Sequence, residues 1–131
     1  MASPSPIRRI TMFKIPNPED QQKLVEGFNV LATDSNKDGK PYILTQHVGL
    51  QLSPDNDNNK SNSTSDPRSQ GWTVIAETQF ASLADMRYYD EGDAAHAALR
   101  EKAKRECGIV GGPAGVLTVY FEAGAGTEKG V

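Results

Sequence analysis

The clearest periodic pattern in this chain is a two-residue alternation over residues 71–80. Val74 and Ala76 fall on one side of the alternation, and Ile75 and Glu77 fall on the other. This period predicts a β-strand whose first side is the more apolar and more deeply buried.

Three further segments are expected to form strands, because they combine β-branched and aromatic residues with short alternating runs. They are residues 7–15, 41–52 and 115–122. Gly49 lies inside the second of these strands, where a missing side chain predicts a β-bulge or a close approach of another backbone.

The segment that follows the first strand has helical spacing instead. Asn17 is the expected N-cap, Pro18 suits the first helical turn, and the helix is predicted to continue to about Thr33. An apolar stripe on one side of this helix marks the face that packs on the sheet. The stripe consists of Leu24, Val25, Phe28, Leu31 and Ala32.

A second helical segment covers residues 82–107, with Ser82 as its expected N-cap. Glycine costs about 1 kcal/mol in a helix interior, so Gly92 predicts a kink or a break near residues 90–92.

The order of these elements is β-α-β-β-α-β, which predicts an α+β, ferredoxin-like fold with one four-stranded antiparallel sheet. Two helices cover only one face of such a sheet. The strands nevertheless carry apolar residues on both sides, for example Ile10 and Met12 opposite Phe13. We therefore expect a homodimer in which a second copy of the chain covers the other face.

One domain, residues 7–123, contains all of these elements. Residues 1–6 are a Pro/Ser-rich lead expected to be disordered, and residues 124–131 are a small-residue tail. Residues 53–70 contain no apolar residue besides proline and are expected to form a flexible hairpin insertion.

Charge and cysteine content narrow the classes of function. The net charge is −3 and the isoelectric point is near 5.3, which argues against nucleic-acid binding. No apolar run approaches the roughly 20 residues of a membrane span, and the N-terminus shows no secretory pattern. A single cysteine, Cys107, fits a reducing compartment. These features predict a cytoplasmic protein without a membrane or nucleic-acid partner.

Four segments of the sequence resemble the stress-responsive dimeric α/β-barrel proteins, fungal members in particular. They are IRRITMFKIP at the first strand, GWTVIAETQFASLADMRYYD, the helical AAHAAL, and VLTVYFEA at the last strand. The resemblance implies a homodimer whose two sheets form a barrel, with a pocket between the helices and the sheet of each subunit. Some members are cofactor-free polyketide cyclases in which a helix tyrosine and a histidine act as an acid/base pair, and related barrels include dehydratases and isomerases.

By this resemblance, His96 stands where the cyclases have their catalytic helix histidine, and Tyr89 matches the tyrosine after a one-residue shift. Arg9 and Val74 stand where the cyclases have strand histidines, and Phe28 lies near a tyrosine position and has no hydroxyl. These departures favour a binding or stress-protective dimer. The alternative is a cyclase, dehydratase or isomerase in which His96 and Tyr89 act on a polyketide-like ketone without a cofactor.

Further residues are candidates for contacts with a small apolar or aromatic ketone. His47 could line the dimer barrel or the mouth of the pocket, and Phe28 and Tyr88 could contact the ligand. Arg9 could bind an acidic group of the ligand or pair with an acid across the sheet, and Trp72 stands at a strand start. Each also has a structural interpretation as a core or surface residue. No metal site is predicted, because the calcium-like string at residues 34–39 lacks the glutamate that such a loop needs.

Overall fold

The computed structural model describes residues 5–52 and 71–124 of the chain. Their elements, in chain order, are β1 (Ile7–Phe13), α1 (Pro18–Asp34), β2 (Ile43–Leu50), β3 (Val74–Phe80), α2 (Leu83–Glu91), α3 (Ala94–Glu106) and β4 (Val116–Glu122). A 3₁₀ turn at Gly112–Gly115 leads into β4. The expected insertion, residues 53–70, lies outside the described residues, as do most of the lead and the tail.

The four strands form one sheet in the order β2-β3-β1-β4, and every neighbouring pair is antiparallel. The predicted α+β, ferredoxin-like fold is therefore confirmed. β1 lies inside the sheet and pairs with strands that come much later in the chain: Thr11 is opposite Ala76 on β3 and Thr118 on β4.

The alternation of β3 sets the orientation of the sheet, as the sequence predicted. Val74, Ala76, Thr78 and Phe80 are buried, and the residues between them are only partly buried. The buried side packs against the helices, where Leu24, Phe28 and Leu31 of α1 complete the core.

Side-chain caps begin the helices where the sequence predicted them. The Asn17 side chain accepts hydrogen bonds from the backbone amides of Glu19 and Asp20, at 2.7 and 3.3 Å. The Ser82 hydroxyl accepts one from the amide of Asp85, at 3.1 Å. Each cap satisfies amides that have no partner within their own helix.

The predicted break in the second helical segment is confirmed at Gly92, and it divides the segment into α2 and α3. Asp93, which the sequence analysis did not single out, begins α3. Its Oδ1 accepts hydrogen bonds from the amides of Ala95 and His96, and its Oδ2 accepts one from the Tyr42 hydroxyl at 2.5 Å. The break therefore fixes the start of the helix that carries His96.

The prediction of a bulge or a close backbone approach at Gly49 was wrong. Gly49 pairs regularly with Ile75, and the register shift lies between Ile43 and Thr45. A Cβ added to Gly49 would meet no atom within 4 Å. The irregularity instead leaves Leu44 outside the pairing, where it is exposed.

The face of the sheet opposite the helices is apolar and uncovered. On β4, Leu117, Val119 and Phe121 are each exposed by between 44% and 51%. They pair with Met12, Ile10 and Arg8 on β1, so the apolar surface continues onto β1 at Met12 and Ile10. No helix of the described residues is long and apolar enough to cross a membrane.

Candidate functional site

A small cavity of about 80 Å³ lies between the helix-covered face of the sheet and the helices. The strands contribute Arg9, Thr11, Thr78 and Thr118 to its lining, and α3 contributes His96. The hydroxyls of Thr11 and Thr118 are 2.9 Å apart and share a hydrogen bond across the β1–β4 pair. Phe13, Phe28, Ala76 and Val116 also line this cavity, so it places a few polar side chains among apolar ones.

His96 is 5% exposed and its orientation is fixed by the backbone. Its Nδ1 lies 2.7 Å from the carbonyl oxygen of Tyr89. A carbonyl oxygen only accepts hydrogen bonds, so Nδ1 carries the proton and the lone pair of the neutral ring is on Nε2. No partner for Nε2 is found among residues 5–52 and 71–124.

The pKa of His96 is lowered from 6.5 to about 4, mainly by burial. The hydrogen bond to the Tyr89 carbonyl and the charge of Asp90 oppose this change, and the charges of Arg9 and Arg100 contribute to it. The imidazole is therefore neutral at physiological pH. In this state Nε2 accepts a hydrogen bond from a bound molecule, and the ring is a weak base.

Tyr89 is 1% exposed and its ring stacks on the imidazole of His96, with centroids 3.6 Å apart and an interplanar angle of 13°. Burial raises the pKa of its hydroxyl, and the nearby Arg9 and Thr78 oppose this rise. Thr78 donates to the Gln46 side chain at 3.3 Å. The two predicted catalytic residues are thus in face-to-face contact.

Arg9 forms one wall of the cavity from β1. Its Nη1 donates to Asp90 at 2.6 Å, and its guanidinium lies 5.3 Å from the centre of the Tyr89 ring. The side chain is only 12% exposed. This ion pair holds the end of α2 against the sheet. The charge of Arg9, one of the predicted contacts for an acidic group of a ligand, is therefore paired with Asp90.

A second cavity of about 260 Å³ shares a wall with the first. Both are lined by Phe13, Phe28, His96 and Arg100, and the second extends between α1 and α3 to Leu24, Leu99 and Ile109. An empty cavity of about 150 Å³ holds a benzene ring. The first cavity is too small for a ring, whereas the second is large enough. Their combined volume reaches the lower end of the usual range for ligand sites.

The protein-family model described as the stress responsive A/B barrel domain matches residues 7–110, which is most of the chain. The chain belongs to the stress-responsive A/B barrel domain family. A protein of Gibberella zeae described as a fusaristatin A biosynthesis cluster protein is 36% identical over 116 residues, covering 88% of this chain and 72% of that protein.

Solved structures share the fold of this A/B barrel chain. The hydroxynitrile lyase of Passiflora edulis matches with a TM-score of 0.65 and 13% identity, over 94% of this chain and 97% of the lyase. A dimeric ferredoxin-like protein of unknown function from Bacteroides fragilis matches with a TM-score of 0.58 and 18% identity, over 90% of this chain and 96% of that one. At these identities the likeness shows the fold alone.

The A/B barrel chain brings four of the predicted site residues together, namely Arg9, Phe28, Tyr89 and His96. The other three lie elsewhere. Tyr88 donates from its hydroxyl to the carbonyl of Asn36, next to the turn between α1 and β2.

His47 is on the uncovered face of the sheet, where its side chain is 74% exposed and lies 3.5 Å from Glu77. Trp72 precedes β3, and the ammonium of Lys14 lies 4.8 Å from the centre of its ring. Neither residue lines the two cavities beside His96.

Arg100, Thr11 and Thr118 line the site and were missed in the sequence. Arg100 follows His96 by four residues, so helical spacing alone places both side chains on one face of α3. The threonine pair had no local signal, because Thr11 and Thr118 are 107 residues apart and meet only through the register of β1 and β4. Among the described residues, no group of three or more His, Cys, Asp or Glu side chains forms a metal site.

Proposed function

We propose that this protein is a homodimer that binds a small, mainly apolar ketone or related carbonyl compound in the joined cavities beside His96. The observation that carries the proposal is a small cavity with several polar side chains beside a larger apolar cavity, with His96 in the lining of both. The apolar space accommodates a ring or chain, and a polar group of the ligand reaches His96, Thr11 or Thr118. Binding sites of this kind combine an apolar lining with a few polar groups that orient the ligand.

Binding rather than turnover is the leading function because of the chemistry of His96. A general base works best when its pKa is close to the working pH. Burial and two nearby arginines lower the pKa of His96 to about 4, so its neutral ring accepts hydrogen bonds well but removes protons poorly.

Acetophenone, an aryl ketone of suitable size, tests the binding proposal by two-dimensional NMR. We expect its addition to shift the signals of Phe28, Tyr89 and His96. The indole signal of Trp72 and the ring signals of His47 are internal controls, because both lie outside the cavities. Shifts centred on the controls, or none at all, would contradict the proposed site.

The homodimer is supported by the uncovered apolar face and by related structures described as dimeric. Val119→Glu places a charge in the exposed apolar row of β4, and burying an unpaired charge under a second copy would cost several kcal/mol. We expect sedimentation to show a dimer for the wild type and a monomer for this variant. Val30→Glu is the matched control, because Val30 lies on α1 and is exposed to a similar extent, 59% against 51%.

A wild type that sediments as a folded monomer at micromolar concentration would refute the dimer. The small-molecule site is a separate claim, because its cavities lie within one chain.

The second candidate function is cofactor-free acid/base catalysis, and the free Nε2 of His96 beside the Tyr89 ring favours it. Its minimal reaction is removal of a proton from the carbon next to a ketone, with His96 as the base and a hydroxyl as the donor to the carbonyl oxygen. The similarity to a biosynthesis cluster protein supports a role in making a small molecule.

Exchange of the acetophenone methyl protons for deuterium in D₂O measures this reaction by NMR. A positioned base contributes about 10²–10⁴-fold. We expect His96→Ala to abolish any exchange above the buffer rate while the dimer stays intact. Exchange that is equal in the wild type and in buffer would leave binding as the function.

A further inference from the structure

Two cations on α3 border the apolar cavity, and neither has an ion-pair partner in the part of the chain that the structure describes. Arg100 and Lys104 are four residues apart, so they follow each other along one face of the helix. Both are exposed, whereas Leu99 and Ala103 beside them are buried. The cations therefore lie at the opening of the cavity, with their charged ends towards solvent.

The lining of this cavity contains no aspartate or glutamate that could neutralise the two cations. Two other cations next to the helices do have acidic partners: Arg9 pairs with Asp90, and Lys37 pairs with Asp85 at 2.7 Å. An apolar interior with an uncompensated positive opening is complementary to an amphipathic anion.

We infer that the ligand of this site is an amphipathic carboxylic acid, with its chain or ring in the cavity and its carboxylate at the opening between Arg100 and Lys104. The inference rests on the proposed binding site and specifies the chemical class of its ligand. A carboxylate suits the opening because a guanidinium donates two parallel hydrogen bonds to it and an ammonium adds a third donor.

This placement also separates the roles of the polar groups. Arg9 is nearly buried and paired with Asp90, so it does not serve as the anion-binding residue. The polar groups of the smaller cavity, His96 among them, are then available to a carbonyl or hydroxyl elsewhere on the same ligand. A molecule with a carboxylate at one end and an oxygen function within its chain would contact both the cations and these polar groups.

Three eight-carbon probes differ only in their headgroup: octanoate, 1-octanol and octylammonium. Isothermal titration calorimetry at constant ionic strength gives their affinities. Exposed ion pairs each contribute up to about 1 kcal/mol, and a factor of ten is 1.4 kcal/mol. With two cations we expect octanoate to bind roughly tenfold more tightly than octanol, and octylammonium to bind most weakly.

The variant Arg100→Gln/Lys104→Gln removes both charges and keeps much of the length of the side chains. We expect its affinity for octanoate to fall to within about twofold of its own affinity for octanol. Lys102→Gln/Arg105→Gln is the matched control. It removes two charges from the same helix at positions that do not line the cavity, and it should keep the preference for octanoate.

Equal binding of octanoate and octanol to the wild type would overturn the inference, and so would a preference that survives in the double variant. In both cases the binding of neutral ligands would leave the proposed function standing. Failure of all three probes and of acetophenone to bind would reject the site itself.

Discussion

Replacing His96 by asparagine tests whether the imidazole is buried in its neutral form. Asparagine keeps a side-chain N–H close to the position of Nδ1, which donates to the Tyr89 carbonyl at 2.7 Å. It has no titratable group, and it loses the stacking with the Tyr89 ring. The variant should therefore be less stable than the wild type at neutral pH, and the difference between them should depend on pH.

The direction and size of that dependence follow from the pKa of His96, which is 6.5 in the unfolded chain and about 4 in the folded one. Above pH 6.5 the ring is neutral in both states and costs nothing. As the pH falls below 6.5, only the unfolded chain binds the proton, so the wild type loses stability until the folded ring titrates near pH 4. From these two values, the loss at pH 5 is about 2 kcal/mol.

Urea unfolding of both proteins at about pH 7.5 and pH 5 measures this loss. The total protein concentration must be equal in all experiments, because the stability of a dimer depends on concentration. The expected result is that the advantage of the wild type over His96→Asn decreases by about 2 kcal/mol. Other titrating groups are common to both proteins and cancel in the difference. An advantage that is the same at both pH values would refute the burial of a neutral imidazole.

Two structural predictions concern residues outside the site. Tyr42→Phe removes the hydroxyl that donates to the buried Asp93, and we expect a loss of roughly 1–3 kcal/mol in the free energy of unfolding, measured with urea; no loss would mean that Asp93 has another partner. Gly115→Ala would make its Cβ overlap with the carbonyl oxygen of Val110, and we expect a loss of at least about 2 kcal/mol by the same measurement. In Gly124→Ala the added methyl meets nothing within 4 Å, so this variant should keep wild-type stability.

Local patterns were enough to predict the fold. The period of β3, the caps at Asn17 and Ser82, and the interruption at Gly92 are each set by residues close together in the sequence. The expected bulge at Gly49 was wrong because a missing side chain has several consequences in a strand. Here it leaves open space on the uncovered face of the sheet, and the irregularity is at Leu44.

The candidate site could be predicted only in part. The resemblance located His96 and Tyr89 on neighbouring helices, and the structure puts their rings in contact. It could not give the tautomer of His96, because that depends on a carbonyl oxygen of the folded backbone. It also could not show that Asp90 forms an ion pair with Arg9, since 81 residues separate the two in the chain.

The position of β1 within the sheet has a consequence for how the protein folds after synthesis. Both hydrogen-bonded neighbours of this strand are distant in sequence. Thr118, the partner of Thr11 on β4, follows it by 107 residues. Contacts between such distant residues slow folding, because a long loop must close before they form. On the ribosome, β1 therefore stays without β4 beside it until the residues of β4 have been synthesised, and an unpaired strand is open to aggregation during that interval.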